Sequence, residues 1–311
     1  MSNDPPHDVP TELGKITSRK ITARLLIVTT AVMWSSGGFF AKAPVFDSWP
    51  LEQRSELLAF WRALFAGLLL LPFVRRPRFR PMLIPMALIF AAMNVTYMKA
   101  MVYTTGANAV WMQNTAPLWV FLLSALWLRE PANRRDLLML AFAAVGIAVI
   151  LCFEYRHAQQ VATTEAATSM RGVFYALASG VLYAGVVLCL RRLREEDSAW
   201  LVSLNLLVTA AVLSPQVTSL GITPSGEQLV WLVAFGLLQI GLPYVLFARG
   251  LRVIRGPEAS GIVLLEPLLL PVWVYLAWGA EIPSWWTLLG GALILAGLAQ
   301  RYVRWGRGDG S

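Results

Sequence analysis

The sequence predicts an all-α integral membrane protein whose ten transmembrane helices form two inverted five-helix repeats. Three observations predict this fold class: an apolar composition, the number of membrane-length apolar runs, and the alternation of basic loops. Of the 311 residues, 57% are hydrophobic and only 14% are charged, and the mean hydropathy is +0.59. A water-soluble core of this length could not bury so much apolar surface. Lipid is therefore the expected solvent.

Ten apolar runs are long enough to cross a hydrocarbon core about 30 Å thick. The predicted spans are 25–43, 57–73, 82–103, 106–128, 137–153, 172–190, 200–220, 229–248, 257–278 and 285–303. They divide the chain into a cytoplasmic tail at 1–24, a first repeat at 25–153, an extracytoplasmic loop at 154–171, a second repeat at 172–304 and a cytoplasmic tail at 305–311.

The basic residues test this count independently, because Lys and Arg are retained on the cytoplasmic side of short loops. Twenty of the 26 lie in one set of alternating loops, four lie in the opposite set, and Arg62 and Lys99 lie inside apolar runs. If one helix were miscounted, the basic loops that follow it would no longer alternate with the others. The pattern predicts a multi-pass protein of the cell (inner) membrane with both termini in the cytoplasm, and it explains the net charge of +8 without a nucleic-acid partner.

The two halves resemble each other at an offset near 150 residues. Pro117 then corresponds to Pro267, and Glu130 lies close to the position of Glu281. Five helices per half is an odd number, so the second copy enters the membrane from the opposite side. Inverted repeats of this kind place a binding site at their interface and open it alternately to each side.

Several short runs resemble one known family. They are AVMWSSGG at 31–38, Arg62 followed by small residues, PEAS at 257–260, LEP at 265–267, Glu281 and GGALILAG at 290–297. Their order resembles the EamA-type proteins of the drug/metabolite transporter (DMT) superfamily, over nearly the whole chain. This resemblance implies secondary transport, often export, of amino acids and related small metabolites.

Two charged residues inside the apolar runs are the leading site candidates. Arg62 is predicted either to clamp a substrate carboxylate, since its fork matches two oxygens, or to be a structural arginine that caps carbonyls. Glu266 has Ala116 as its counterpart, so only one half carries the acid. It is predicted to carry protons, to pair with a substrate ammonium, or to cap the turn beside Pro267.

Polar and aromatic residues at similar depth complete the predicted substrate site. They are Asn94 and Tyr97 in the third span, Trp111 and Asn114 in the fourth, Gln239 and Tyr244 in the eighth, and Trp273 in the ninth. Interhelical hydrogen bonds and core packing are the alternative interpretation of each.

Motifs for phosphate binding and for metal binding are also informative. The chain has no phosphate-binding glycine loop and no metal-ligand spacing, so we expect no cofactor, no metal and no catalytic residues. The expected partners are a small-molecule substrate and the bilayer. Proton coupling and a homodimer stay open, as do two other functions, a multidrug or cationic exporter and an intramembrane enzyme.

Overall fold

The computed structural model describes residues 9–125, 134–254, 256–279 and 281–302, and every regular element among them is helical. In chain order the helices are α1a Val9–Ser35, α1b Gly37–Ala41, α2 Leu51–Leu70, α3 Leu83–Tyr103, α4a Gly106–Gln113, α4b Ala116–Leu123, α5 Arg134–Val161, α6 Thr164–Arg192, α7 Ser198–Ser219, α8 Gly226–Gly250, α9a Gly256–Val263, α9b Leu265–Trp278 and α10 Trp285–Tyr302. A π-helical stretch, Phe235–Gly241, interrupts α8.

The predicted membrane fold is confirmed. Eight segments of the described chain are long and apolar enough to cross a membrane: Ser18–Ala41, Leu51–Phe73, Leu83–Tyr103, Asp136–Val161, Thr164–Arg192, Ser198–Ser219, Gly226–Gly250 and Glu258–Trp278. The tenth predicted span appears as a shorter apolar helix, Trp285–Gln300. The fourth is broken into α4a and α4b, and the end of its predicted range lies outside the described residues.

The segment 154–171, expected to be a loop, is mostly helical. α5 continues to Val161 and α6 begins at Thr164, so only two residues separate them. Ala162 turns the chain in the left-handed region (φ 49°), and the Thr163 side chain accepts the Ala166 N–H at 3.3 Å. The loop assignment was wrong because it used polarity alone, whereas Ala, Glu, Gln and Arg are strong helix formers outside the lipid as well.

The packing of the helices follows the inverted repeat. α3 packs most extensively on α6, and the equivalent pair five helices later is α8 with α1, which is also in contact. α2 packs on α7, and α5 packs on α10. A shift of five helices exchanges the two members of each pair, so both pairs are their own equivalents in the repeat. Gly146 and Gly290 let the last pair meet, since a Cβ on Gly146 would lie 2.5 Å from the Gly290 carbonyl oxygen. Small residues allow such backbone contact in membranes.

Asp197 ties the two halves together on the face that carries most of the arginines. One carboxylate oxygen caps α7 by accepting the N–H groups of Ala199 (2.9 Å) and Trp200 (3.4 Å). The other accepts the backbone N–H groups of Arg75 (2.7 Å) and Arg76 (3.1 Å), which belong to the first half. Partial burial alone would raise the pKa of Asp197, but these four donors favour the charged form and hold the pKa below its usual value.

We predict that Asp197→Ala lowers the free energy of unfolding by about 1 kcal/mol at neutral pH, as expected for a lost helix cap. Because the folded-state pKa is depressed, this contribution is complete above the unfolded-state value of about 3.9 and is lost as the pH falls through the folded value. Thermal unfolding in detergent across a pH series measures it. Glu195→Ala, two residues away, is the control. A penalty that does not shrink in acid would contradict the prediction.

Candidate functional site

Arg62 lies inside α2 with only 3% of its surface exposed. Ala59, Ala63 and Ala66 beside it are fully buried, so this face of α2 packs against protein. The neighbour is the π-helical stretch of α8, where a Cβ on Gly236 would lie 2.9 Å from the Arg62 carbonyl oxygen. The close approach brings side chains of the second half onto the guanidinium.

The guanidinium has two amide partners and one ring. Arg62 Nη2 donates to Asn94 Oδ1, and Nη1 donates to Gln239 Oε1 at 3.4 Å. The Phe235 ring lies 5.1 Å from Cζ. Nε is buried and has no hydrogen-bond partner among the described residues. An arginine with an unused buried donor retains hydrogen-bonding capacity for another group.

Gln239 extends this network to the first helix. Its Nε2 donates to the Trp34 carbonyl at 3.3 Å, just before α1a ends at Ser35. The Trp34 ring in turn contacts the Tyr244 ring edge-on, with centroids 5.3 Å apart. α1, α2, α3 and α8 therefore meet at one place, and the predicted residues Arg62, Asn94, Gln239 and Tyr244 belong to one cluster.

Glu266 lies in the first turn of α9b. It lies deep in the protein, yet part of its surface remains accessible. Tyr97 and Tyr244 each interact electrostatically with both Arg62 and Glu266. No ion pair joins Arg62 to Glu266 in the described chain. The site thus presents separated positive and negative groups with two phenols near both.

The other three predicted residues are anchored by the backbone or by a hydroxyl. Trp111 Nε1 donates to the Pro267 carbonyl at 2.8 Å, and Trp273 Nε1 donates to Ser35 Oγ at 2.8 Å. Asn114 Nδ2 donates to the Val110 carbonyl within its own helix, at 2.8 Å. Contact of any of the nine residues with substrate stays a prediction.

The paired prolines Pro117 and Pro267 mark paired interruptions. α4 breaks at Asn114–Thr115, just before Pro117, and α9 breaks at Leu264, just before Pro267. Proline has no N–H for the preceding turn, so a helix is weakest there. Glu266 follows one break directly, where the positive end of the α9b dipole favours a carboxylate.

A cavity of about 990 Å³ leads from the arginine-rich face toward this site. Its mouth is lined by Arg75, Arg76, Arg249 and Arg252, and Tyr244 lies on its wall. A second pocket of about 910 Å³ opens on the opposite face and includes Trp231 and Trp278. The two cavities approach the site from different sides.

Five rings stand between the second pocket and Arg62, and we call them the aromatic plug: Phe39, Phe40, Trp231, Phe235 and Trp278. Phe39 stacks on Trp278 (5.2 Å) and Phe40 stacks on Phe235 (5.3 Å), while Trp231 touches both Phe39 and Phe40. The plug reaches the site through Phe235. Its only signal in the sequence is the Phe pair directly after Gly37 and Gly38.

A polar contact closes the same face. Lys42 Nζ donates to the Thr104 carbonyl (2.8 Å) and to Glu281, whose second oxygen accepts the Gly106 N–H at 2.9 Å. This network joins the first half to the α9b–α10 connection. Lys42 is one of four basic residues on the sparsely charged side, which was its only sequence signal. Lys99 pairs instead with Glu56 in the first half, at 2.9 Å.

Two stretches of the chain, residues 21–152 and 170–300, match the EamA-like transporter family. The chain belongs to this family. An uncharacterized transporter from Archaeoglobus fulgidus is 29% identical to this EamA-like protein over 244 residues, which are 78% of this chain and 84% of the relative. A solved crystal structure of a protein with 20% identity shares the fold, with a TM-score of 0.57 and coverage of 90% of this chain and 95% of that one. The EamA-like protein is thus a multi-pass membrane transporter.

We predict that Arg62→Lys in this EamA-like protein weakens ligand binding about tenfold or more. Lysine keeps the charge but loses the fork that reaches Asn94 and Gln239, and hydrogen bonds to charged groups contribute about 1.5–3 kcal/mol. Thermal shift with a panel of amino acids and organic acids measures the effect. Arg54→Lys is the matched control, because Arg54 bonds Asp47 and the Trp49 carbonyl outside the site. Equal ligand-induced shifts in R62K and the wild type would contradict the prediction.

Proposed function

We propose that the protein is a secondary transporter that moves a small metabolite, an amino acid or a related organic compound, across the plasma membrane by alternating access, most simply as an exporter. One observation carries the proposal. A cavity lined by arginines at its mouth reaches Tyr244 beside the Arg62 cluster, while the aromatic plug and the Lys42–Glu281 contact cover the opposite side. A transporter caught open to one side has this arrangement.

The separated charges support a zwitterionic substrate. The buried Nε of Arg62, beside Nη groups already held in place, suits a carboxylate, and Glu266 suits an ammonium. Because Arg62 and Glu266 do not neutralise each other, each is available to a ligand group of opposite charge. The cavity volume is ample, since sites for drug-sized ligands occupy about 300–1,000 Å³.

The membrane orientation is part of the proposal. The arginine-rich mouth of the cavity belongs to the loops that retention of positive charge predicts to be cytoplasmic, together with both termini. In that orientation the described conformation accepts substrate from the cytoplasm, as an exporter requires. Proton movement through Glu266 is the proposed coupling, because a carboxylate within a membrane helix that is still partly accessible can exchange protons.

A multidrug or cationic exporter is the second candidate. Glu266 lies near the phenols of Tyr97 and Tyr244, and the Trp34 ring packs on Tyr244. An acid among aromatic faces suits an organic cation. In this case Arg62 is a structural residue and Glu266 alone contacts the charge. An intramembrane enzyme is a weaker alternative, since the family match indicates a transporter.

The two candidates give different mutant patterns in proteoliposome transport assays. The assay screens labelled amino acids, organic acids and organic cations, with and without a pH gradient. For a zwitterionic substrate, Glu266→Gln and Arg62→Lys each reduce uptake about tenfold or more, because the first removes the negative charge that pairs with the ammonium and the second removes the guanidinium fork that holds the carboxylate. For a cationic substrate, only Glu266→Gln does so. Arg54→Lys controls for reconstitution.

Failure of both candidates is also visible in this screen. If wild-type protein that is folded and correctly inserted moves no compound of the three classes under either condition, the proposed transport function is wrong.

We further predict that Glu281→Gln increases access to the site from the face opposite the arginines. The substitution removes the charge that holds Lys42 and weakens acceptance of the Gly106 N–H, so the closed face loosens. In a Cys152→Ala, Cys189→Ala background, Tyr244→Cys reports access through its reaction with a membrane-impermeant thiol reagent added to one side.

The expected reaction of Tyr244→Cys is fast from the arginine-rich face and slow from the other, and E281Q speeds only the slow one. Glu227→Gln is the control on the same face, because Glu227 lines the second pocket outside the Lys42 network. Equal rates from both sides without E281Q would contradict the closed face.

A further inference from the structure

One backbone carbonyl beside Glu266 lacks its usual helical partner. In a helix the carbonyl of Pro267 would accept the N–H of residue 271, but residue 271 is a proline and has no N–H. An unpaired carbonyl is costly inside a membrane, where water cannot replace the bond. Trp111, from the other half of the protein, supplies the missing donor at 2.8 Å.

The surroundings of Trp111 fit its indole closely. Trp111 is 5% exposed, and its six-membered ring occupies the space that a side chain on Gly291 of α10 would need. A Cβ on Gly291 would lie 2.0 Å from Trp111 Cε3 and 2.3 Å from Cδ2. The ring is therefore held in one position by α10 while its N–H points at α9b. It has little freedom to swing into the cavity as a substrate contact.

The other half has no such arrangement. At the offset of 150 residues, Pro267 corresponds to Pro117, Pro271 to Phe121 and Glu266 to Ala116. Phe121 retains an N–H that can bond to the Pro117 carbonyl. Pro271 and its tryptophan donor thus occur only at the helix break that carries Glu266, and the equivalent break at Pro117 has no second proline. This difference links them to Glu266 rather than to the helix break itself.

We propose that Trp111 is a positioning residue for Glu266: by holding the Pro267 carbonyl across the interface of the halves, it sets where the Glu266 carboxylate lies relative to Tyr97 and Tyr244. The inference rests on the proposed role of Glu266 in the transport site. Among the described residues, the titratable groups that interact electrostatically with this carboxylate are Tyr97 of α3 and Tyr244 of α8, and both also interact with Arg62 of α2. A displaced carboxylate meets a different field from these groups, so its proton exchange changes.

The test follows protonation at Glu266 without needing a known substrate. Dicyclohexylcarbodiimide reacts with protonated carboxyls in apolar surroundings, and peptide mass spectrometry reports its addition at Glu266 as a function of pH. Glu266→Gln abolishes this signal. Trp111→Phe keeps a ring but loses the N–H, and we expect it to move the labelling midpoint by about half a pH unit or more.

Two further variants distinguish the positioning of Glu266 from a role in which Trp111 only donates a hydrogen bond to the Pro267 carbonyl. Trp61→Phe is the matched control, because Trp61 Nε1 has no hydrogen-bond partner in the described part of the chain, and it leaves the midpoint unchanged. Pro271→Ala restores an N–H within α9b. In the double variant W111F/P271A we expect the melting temperature to recover toward that of the wild type while the midpoint stays shifted, since the tie between the halves is still missing.

The outcomes are distinct. If W111F labels like W61F, or if P271A restores the midpoint, Trp111 only satisfies a carbonyl and the proposal is overturned. If wild-type Glu266 is not labelled at any pH, the proposed proton-accessible transport site fails, and the role of Trp111 fails with it.

Discussion

A backbone carbonyl inside a bilayer has no water to bond, and this constraint accounts for much of the structure. At three places where a break or a proline removes a helical donor, a side chain replaces it. Gln239 donates to the Trp34 carbonyl at the end of α1a, and Trp111 donates to the Pro267 carbonyl. Ser214 Oγ donates to the Ala211 carbonyl, which Pro215 leaves free. The first two hydrogen bonds join one half of the protein to the other, so the side chains that replace the missing helical donors also connect the two repeats.

The buried charges of Arg62 and Glu266 are likewise stabilised by nearby groups of the protein. A central arginine costs about 2.5–3.5 kcal/mol in a membrane helix, and Arg62 offsets this with two amide oxygens and the Phe235 ring. Glu266 lies at the start of α9b, where the helix dipole favours a negative group. A direct ion pair would stabilise both charges but would occupy them. Their separation keeps each able to bind a ligand.

Symmetry and asymmetry have different roles in this fold. The packing of α1 on α8 and the packing of α3 on α6 are equivalent contacts between the two halves. Alternating access depends on equivalent contacts of this kind. The chemistry is asymmetric. In the described chain the second repeat has Glu266 and Pro271 where the first has Ala116 and Phe121, and α6 continues unbroken where α1 breaks at Ser36. A symmetric backbone therefore carries the acid of the proposed site in one repeat only.

The sequence by itself determined the membrane fold and the repeat, and it predicted Arg62 and Glu266 as site candidates, because hydropathy and charge act locally and a charge within an apolar run is costly wherever it lies. It did not distinguish a loop from a polar helix at 154–171, since both look hydrophilic. Only the tertiary structure decided the aromatic plug, the Lys42–Glu281 contact and the hydrogen bond of Trp111. Each of these joins residues that are more than 150 positions apart in the chain, so each depends on how the two halves pack together, which no local sequence pattern shows.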